Sequence, residues 1–276
     1  MMIFNSSLMR IIFLNVIFVL AIQYSAIAQS APHIDSLLKV LNTEKEDTNK
    51  ANTLYEITRA YLFELNDNQK VGEYGKKQLL LSQKLNFKKG IAYGYLNCAI
   101  ASRNSGDLQQ ALLYDNKSLV VMKEIGNKRG ESSCYLNIGL SYFNLGEYEK
   151  ALDYMLKGVK QKEEINDKKG ASSGYNNIGN LYNTQGNNTK ALVYHLKSLK
   201  IKEELNDKVG IAMSHNNIGN VFLAQNDLDK ALISYQKSLQ INEELKSSYG
   251  IGSASINIGN IYSSKKKSQR SFKILL

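Results

Sequence analysis

The chain has 276 residues, a formal charge of +10 and two cysteines. Two cysteines, Cys98 and Cys134, are too few for a disulfide scaffold or a cysteine metal site. Five of the excess positive charges sit at Lys265, Lys266, Lys267, Arg270 and Lys273, so the rest of the chain lacks the broad basic face of a nucleic-acid-binding domain. That tail reads as a solvated end, with a patch for an acidic partner or a membrane surface as the alternative.

In chain order, residues 1–28 read as an export signal: Arg10, an apolar run from Ile11 to Ile22, and a small-x-small cleavage site at Ala26-Ile27-Ala28. The run is shorter than the roughly 20 apolar residues a bilayer span needs, so cleavage near Ala28 is expected, with a retained anchor as the alternative. No later segment has the hydropathy of a membrane helix. The expected location is periplasmic or secreted. Residues 29–50 follow as a capping helix, centred on His33 to Leu41, and a linker.

The rest of the chain repeats. Tyr135-Leu-Asn-Ile-Gly139, Tyr175-Asn-Asn-Ile-Gly179 and His215-Asn-Asn-Ile-Gly219 recur every 40 residues, each followed by an Ala-Leu pair at Ala151, Ala191 and Ala231. A fixed period of this size indicates stacked copies of one small motif. The expected segments are a degenerate unit at 51–90, full units at 91–130, 131–170, 171–210 and 211–250, and a partial unit with the basic tail at 251–276. The sixth unit either closes with a short second helix, packing Phe272 and Leu275 back on the fifth, or belongs to a truncated relative of a longer protein.

Within one unit, apolar residues at helical spacing predict two helices, as over Lys128 to Leu145 and Tyr148 to Ile165. Between them stand Gly106, Gly146, Gly186 and Asn226, residue types that accept the left-handed conformation at a helix C-terminus. Asp107, Glu147, Asn187 and Asp227 follow as N-caps, and Asn127, Asp167, Asp207 and Ser247 serve the same role at the next unit. Gly139, Gly179, Gly219 and Gly259 fall mid-helix, where glycine costs about 1 kcal/mol. Close approach of helix backbones, against Ala151, Ala191 and Ala231, is the expected return. Gly130, Gly170, Gly210 and Gly250 open each first helix, for a backbone angle or for helix approach. The two cysteines stand where other units carry Ile or Gly/Ser and read as small packing residues; an oxidising compartment leaves a bridge between them open.

Tyr135-x-x-Ile138-Gly139-x-x-Tyr142 followed by Ala151-x-x-x-Met155 resembles the tetratricopeptide repeat signature. The resemblance covers about residues 51 to 276 and is most specific over 131–250. It implies an all-α fold, a right-handed α-solenoid of stacked helix-turn-helix repeats. The unit is 40 residues rather than about 34, and Glu163 stands where a helix-ending proline is common. The longer form looks like the repeats of LGN-type adaptors, kinesin light chains and exported Bacteroidetes-type sensor proteins.

In such repeats the first helices line a concave groove. Asn176, Asn180, Asn216, Asn220 and Asn260 sit three before or one after the mid-helix glycine, and a spacing of four places each pair on one side of its helix. Asparagine both donates and accepts, so a row of them suits the backbone of an extended peptide. The resemblance implies that role for Asn180, Asn220 and Asn260; bonding between neighbouring first helices is the plain alternative. Asn137, Asn177, Asn217 and Asn257 lean to the structural side. The lysines of a carboxylate clamp are replaced by Leu136, Asn176 and Asn216.

His33, His195 and His215 have no Cys, Asp or Ser at a spacing that suggests a triad or a metal site. Glu163-Glu164 and Glu203-Glu204, among Lys160, Lys162 and Lys202, read as solvated ion-pairing faces. No enzyme and no cofactor are expected. The leading expectation is an exported scaffold for a protein or peptide partner, without nucleic acid. The alternative is the sensor region of a signalling receptor ending in a histidine kinase, cyclase or DNA-binding module.

Overall fold

The computed structural model describes residues 32–274, with side chains described as far as Lys265. The export signal expected at 1–28 and most of the basic tail's side chains lie outside the described residues. Among the described residues the regular structure is helical throughout, without strands.

Helix α1 covers 32–43. It is followed by α2 (Thr48–Ala60), which widens into a π-helical turn over Tyr61–Leu65, and by α3 (Asn68–Lys84), α4 (Lys88–Asn104) and α5 (Leu108–Glu124). After these come α6 (Lys128–Asn144), α7 (Tyr148–Glu164), α8 (Lys168–Thr184), α9 (Asn188–Glu204), α10 (Lys208–Ala224), α11 (Leu228–Glu244) and α12 (Ser248–Ile274). Each helix from α3 to α11 is 17 residues long. Equivalent helices start 40 positions apart, so the sequence period is the structural period. The chain divides after Ile125 into two compact units, each an all-α stack of antiparallel helix pairs.

Each unit has its own interior. In the first, Leu54, Ile57 and Tyr74 are buried, and Leu37, Leu38 and Leu41 of α1 pack against them. In the second, Leu136, Ala151, Met155, Val159, Ile178 and Leu181 form a continuous cluster across α6, α7 and α8. Burying one such large aliphatic side chain contributes about 1.5–3 kcal/mol.

The punctuation read from the sequence is the punctuation observed. Gly106, Gly146, Gly186 and Asn226 adopt φ between 60° and 86°, closing each first helix with the left-handed residue it needs. Asp107, Asn187 and Asp227 accept amide hydrogen bonds from the third residue of the helices they open, as do Asn127, Asp167, Asp207 and Ser247. Glu147 departs from this pattern: its longer side chain makes no cap and pairs with Lys150 at 2.5 Å instead.

The mid-helix glycines are explained by approach. A Cβ on Gly139 would meet Met155 Cγ at 2.7 Å and the Ala151 carbonyl oxygen at 3.0 Å; on Gly179 it would meet the His195 ring, and on Gly219 the Tyr235 ring at 2.6 Å. Gly259 does not fit that expectation, for nothing lies within 4 Å of it. The reason is at the next turn. Where Gly186 and Asn226 end a helix, the sixth unit has Lys266, and where Asn187 and Asp227 cap, it has Lys267. Without a left-handed residue and a cap the helix continues, and α12 runs 27 residues instead of folding back into a short second helix.

Candidate functional site

The first helices of the second unit present one stripe of residues at spacings of three and four, which share a helix side. On α8 it reads Lys169, Ser173, Asn176, Asn180; on α10, Val209, Met213, Asn216, Asn220; on α12, Tyr249, Ser253, Ile256, Asn260. Its asparagines do several different things. Asn217 donates to Asn176 Oδ1 at 2.8 Å, and one repeat later Asn257 donates to Asn216 Oδ1 at 2.9 Å. These are rungs between neighbouring first helices, joining Asn176 and Asn216 to the residues expected to be structural. The rungs use only the amide oxygens, so the amide N–H groups of Asn176 and Asn216 keep their donor capacity.

Asn220 accepts the Tyr235 hydroxyl at 2.7 Å, which ties it to the interior; burial pushes the Tyr235 hydroxyl up to about 12. Asn180 and Asn260 make no side-chain hydrogen bond among the described residues and are the two candidates with both amide groups open. The five residues therefore form one stripe with graded roles, from interhelix rung to open amide.

Beside this stripe, between α10, α11 and α12, lies a groove of about 250 Å³ lined by Val209, Met213, Asn216, Asn242, Tyr249 and Ser253, among others. Val209, Met213 and Tyr249 are 59%, 56% and 89% exposed. Its lining includes no charged side chain.

The ends of the second helices hold what sequence reasoning missed. Lys162 and Lys202, expected on a solvated ion-pairing face, are 4% and 7% exposed. Lys162 donates to Asp167 and to Ser133 Oγ at 3.0 Å and to the Arg129 carbonyl at 3.3 Å. Burial alone would raise Asp167, but the bonds from Lys162 and the Gly170 amide hold its carboxyl below the usual range. Lys202 donates to Ser214 Oγ at 3.0 Å, and its pKa is lowered by burial. The trace of this in the sequence is the glycine that opens each first helix. A Cβ on Gly170 would strike Lys162 Cδ at 2.6 Å, and one on Gly250 would strike Asn242 Oδ1 at 1.9 Å. Gly170, Gly210 and Gly250 thus serve approach, making room for a polar side chain reaching in from the preceding helix. Of the four glutamates in that reading, Glu204 pairs with Lys168 at 2.8 Å on the surface, while Glu163 accepts the Tyr175 hydroxyl.

The histidines take no part in a catalytic cluster. His195 is buried against Gly179 with its pKa lowered to about 4, first by burial and then by Lys202. His215 is half-buried and shifted the same way by burial, and His33 lies on the surface 3.0 Å from Glu64. Cys98 and Cys134 are buried and form no disulfide, and burial pushes the Cys98 thiol up to about 11. Among the described residues no group of His, Cys, Asp and Glu is arranged to hold a metal, and no helix is long and apolar enough to cross a membrane.

Paired helices on a fixed period, with an asparagine-bearing stripe on the first helices α8, α10 and α12, define the class of helical-repeat interaction proteins. The comparisons specify the repeat. Residues 171–244 match a family model described as tetratricopeptide repeat, and residues 132–164 match a second model of the same description. Curated protein sequences give no match. Among solved structures, BtubC (BKLC) from P. vanneervenii is similar at a TM-score of 0.61 and 18% identity, over 82% of this chain and 92% of that one. A Rap protein complexed with Competence and Sporulation Factor is similar at 0.64 and 16%, over 89% and 72%. A STAND signal-transduction ATPase with a tetratricopeptide repeat sensor, from Pyrococcus horikoshii, is similar at 0.60 and 16%, over 89% of this chain and 43% of that one. At these identities the likeness is one of fold.

Proposed function

We propose that the chain is an exported scaffold that binds an extended peptide or protein segment along the first-helix stripe of α8, α10 and α12. The observation that carries the reading is the graded set of asparagines. Two of them brace neighbouring first helices through their oxygens and keep their N–H donors, and Asn180 adds a whole amide that the fold does not use. Donors and acceptors repeating with the helix pairs suit a ligand whose own groups repeat, which is a peptide backbone. A tetratricopeptide repeat fold is in keeping with a protein partner, and the Rap protein of similar fold is complexed with Competence and Sporulation Factor.

The test is selection of a displayed random-peptide library on the immobilised chain, followed by titration of the selected peptides. Asn180→Ala with Asn260→Ala should weaken binding about 5- to 30-fold, as expected for hydrogen bonds worth about 1 kcal/mol each, with the melting temperature unchanged. Equal binding by the double variant contradicts the stripe as the site. Asn220→Ala is a poorer probe, because it also strips the Tyr235 hydroxyl of its acceptor.

Export rests on the motif at 1–28, and cleavage after Ala28 is tested by the intact mass of the native protein in fractionated cells. The second reading, the sensor region of a longer receptor, draws on the likeness to the ATPase with a tetratricopeptide repeat sensor. A membrane-bound species larger than this chain would favour it.

A further inference from the structure

Resting on the peptide-binding reading, the geometry points to a specificity pocket between α10, α11 and α12 that takes one uncharged apolar side chain of the bound segment, with acidic residues preferred on one side of it. One position in the second helices changes along the stack. Lys162 and Lys202 extend into the space beside the next first helix and are buried there, anchored on Ser133 and Asp167 or on Ser214. At the same position α11 has Asn242, whose shorter side chain folds back on its own helix, donating to the Ser238 carbonyl at 2.8 Å. The Asn242 amide fills the space beside Gly250, but it ends short of where a lysine stem would continue, and a groove of about 250 Å³, lined in part by Asn242 itself, lies beside it.

The rim changes in the same direction. The stripe carries Arg129 and Lys169 in the third and fourth repeats, and Val209 and Tyr249 in the fifth and sixth; Ser133 and Ser173 give way to Met213. Lys169 is exposed and makes no ion pair among the described residues, whereas Arg129 shares Asp167 at 3.4 Å. One end of the stripe is therefore apolar and uncharged, and the other is cationic.

Size narrows the ligand. A cavity of about 150 Å³ holds benzene, and drug-sized ligands need about 300–1,000 Å³, so this pocket suits one Leu, Met or Phe side chain. The exposed apolar rim would be covered by such a group, and the amide N–H of Asn216 stands beside it for the peptide carbonyl. Neighbouring helices pack about 10 Å apart and an extended chain rises about 3.3 Å per residue. An acidic residue about three positions from the anchor would then lie over Lys169.

The experiment uses fluorescein-labelled decapeptides with a central Leu, Phe, Ser or Lys in a neutral Gly/Ser context, with two Glu residues on the N-terminal side, the C-terminal side or neither, titrated against the full chain by anisotropy. Expected is binding at least 10-fold tighter for Leu or Phe than for Ser or Lys, and a gain of 3-fold or more from Glu on one side only. That gain should disappear in Lys169→Ser and above 0.5 M salt. Asn242→Lys, which restores the residue two other repeats hold at this place, should weaken the Leu peptide at least 10-fold with an unchanged melting temperature. Met213→Ser gives the same test without new charge. Equal affinities for Leu and Ser centres, or full binding by both variants, would overturn the pocket. Library-selected peptides that lose affinity in the Asn180 variant but not in Asn242→Lys would overturn it while leaving the peptide-binding reading standing. Concentration-dependent self-association, abolished by Met213→Ser and unaffected by peptide, would assign the groove to a second copy of the chain and overturn the proposal.

Discussion

The second repeat and the three after it solve one packing problem with different chemistry. In α6, α8 and α10 a mid-helix glycine lets Met155, His195 or Tyr235 lie against the backbone. In α4 the equivalent residue is Ala99, and the partner position on α5 is Asp115, fully buried and paired with Arg103. Four repeats with one backbone period thus hold an ion pair, a thioether, an imidazole and a phenol at one place. The period is set by turns, caps and small residues, and the occupant of that place is free to vary so long as it fills the space: Asp115 meets Arg103 and the Tyr235 hydroxyl meets Asn220, whereas His195 Nδ1 is buried without a hydrogen-bond partner among the described residues. The sixth repeat is the limiting case, where Gly259 faces no partner among the described residues.

The comparison breaks first at the ion pair. Asp115→Ala leaves the Arg103 guanidinium buried without its carboxylate, and removing one partner of such a pair costs about 3–5 kcal/mol. Denaturant unfolding should show that loss, and a change under 1 kcal/mol would mean that Arg103 is solvated in place.

His195 gives the next effect, through pH. Burial, and then Lys202, lower its folded pKa to about 4, below the ordinary 6.5 of an imidazole, so below pH 6.5 the unfolded chain takes up a proton that the folded chain refuses. Stability should be level above about pH 7 and fall as pH drops from 6.5 towards 4, by up to about 3 kcal/mol. His195→Met, the residue of the third repeat, should flatten that slope in urea midpoints measured across the range. An unchanged slope would assign the acid sensitivity elsewhere.

Glycine sharpens the contrast between the inner repeats and the last one. Gly219→Ala places a methyl 2.6 Å from the Tyr235 ring and should cost about 1–3 kcal/mol. Gly259→Ala meets nothing within 4 Å and should instead stabilise, by about 0.5–1 kcal/mol, through helix propensity alone. Thermal melts of the two variants moving in the same direction would refute the packing account of these glycines.

Much of this was legible because repetition averages out local ambiguity. Any one of Gly146, Asn187 or Asp207 is a weak signal; at a period of 40 they fix helix ends to within a residue or so. What stayed hidden depended on side-chain direction. Lys162 looks like a surface residue among glutamates, and only the adjacent Gly170, which makes room for its stem, marks it as buried. The asparagines were legible as a set but not in their separate roles, since bonding of Asn176 to Asn217 crosses a repeat boundary that sequence spacing alone does not orient. The long α12 could have been foreseen from Lys266 and Lys267, which stand where the turn glycine and its cap belong.

The central claim, that the first-helix stripe of the second unit receives an extended peptide, is tested most directly by amide chemical-shift mapping of the full chain with a library-selected peptide. The account predicts saturable shifts concentrated on α8, α10 and α12, including the side-chain amides of Asn180 and Asn216, with α7 and α9 nearly silent. Shifts confined to the second helices, or spread evenly with no saturation, would contradict it.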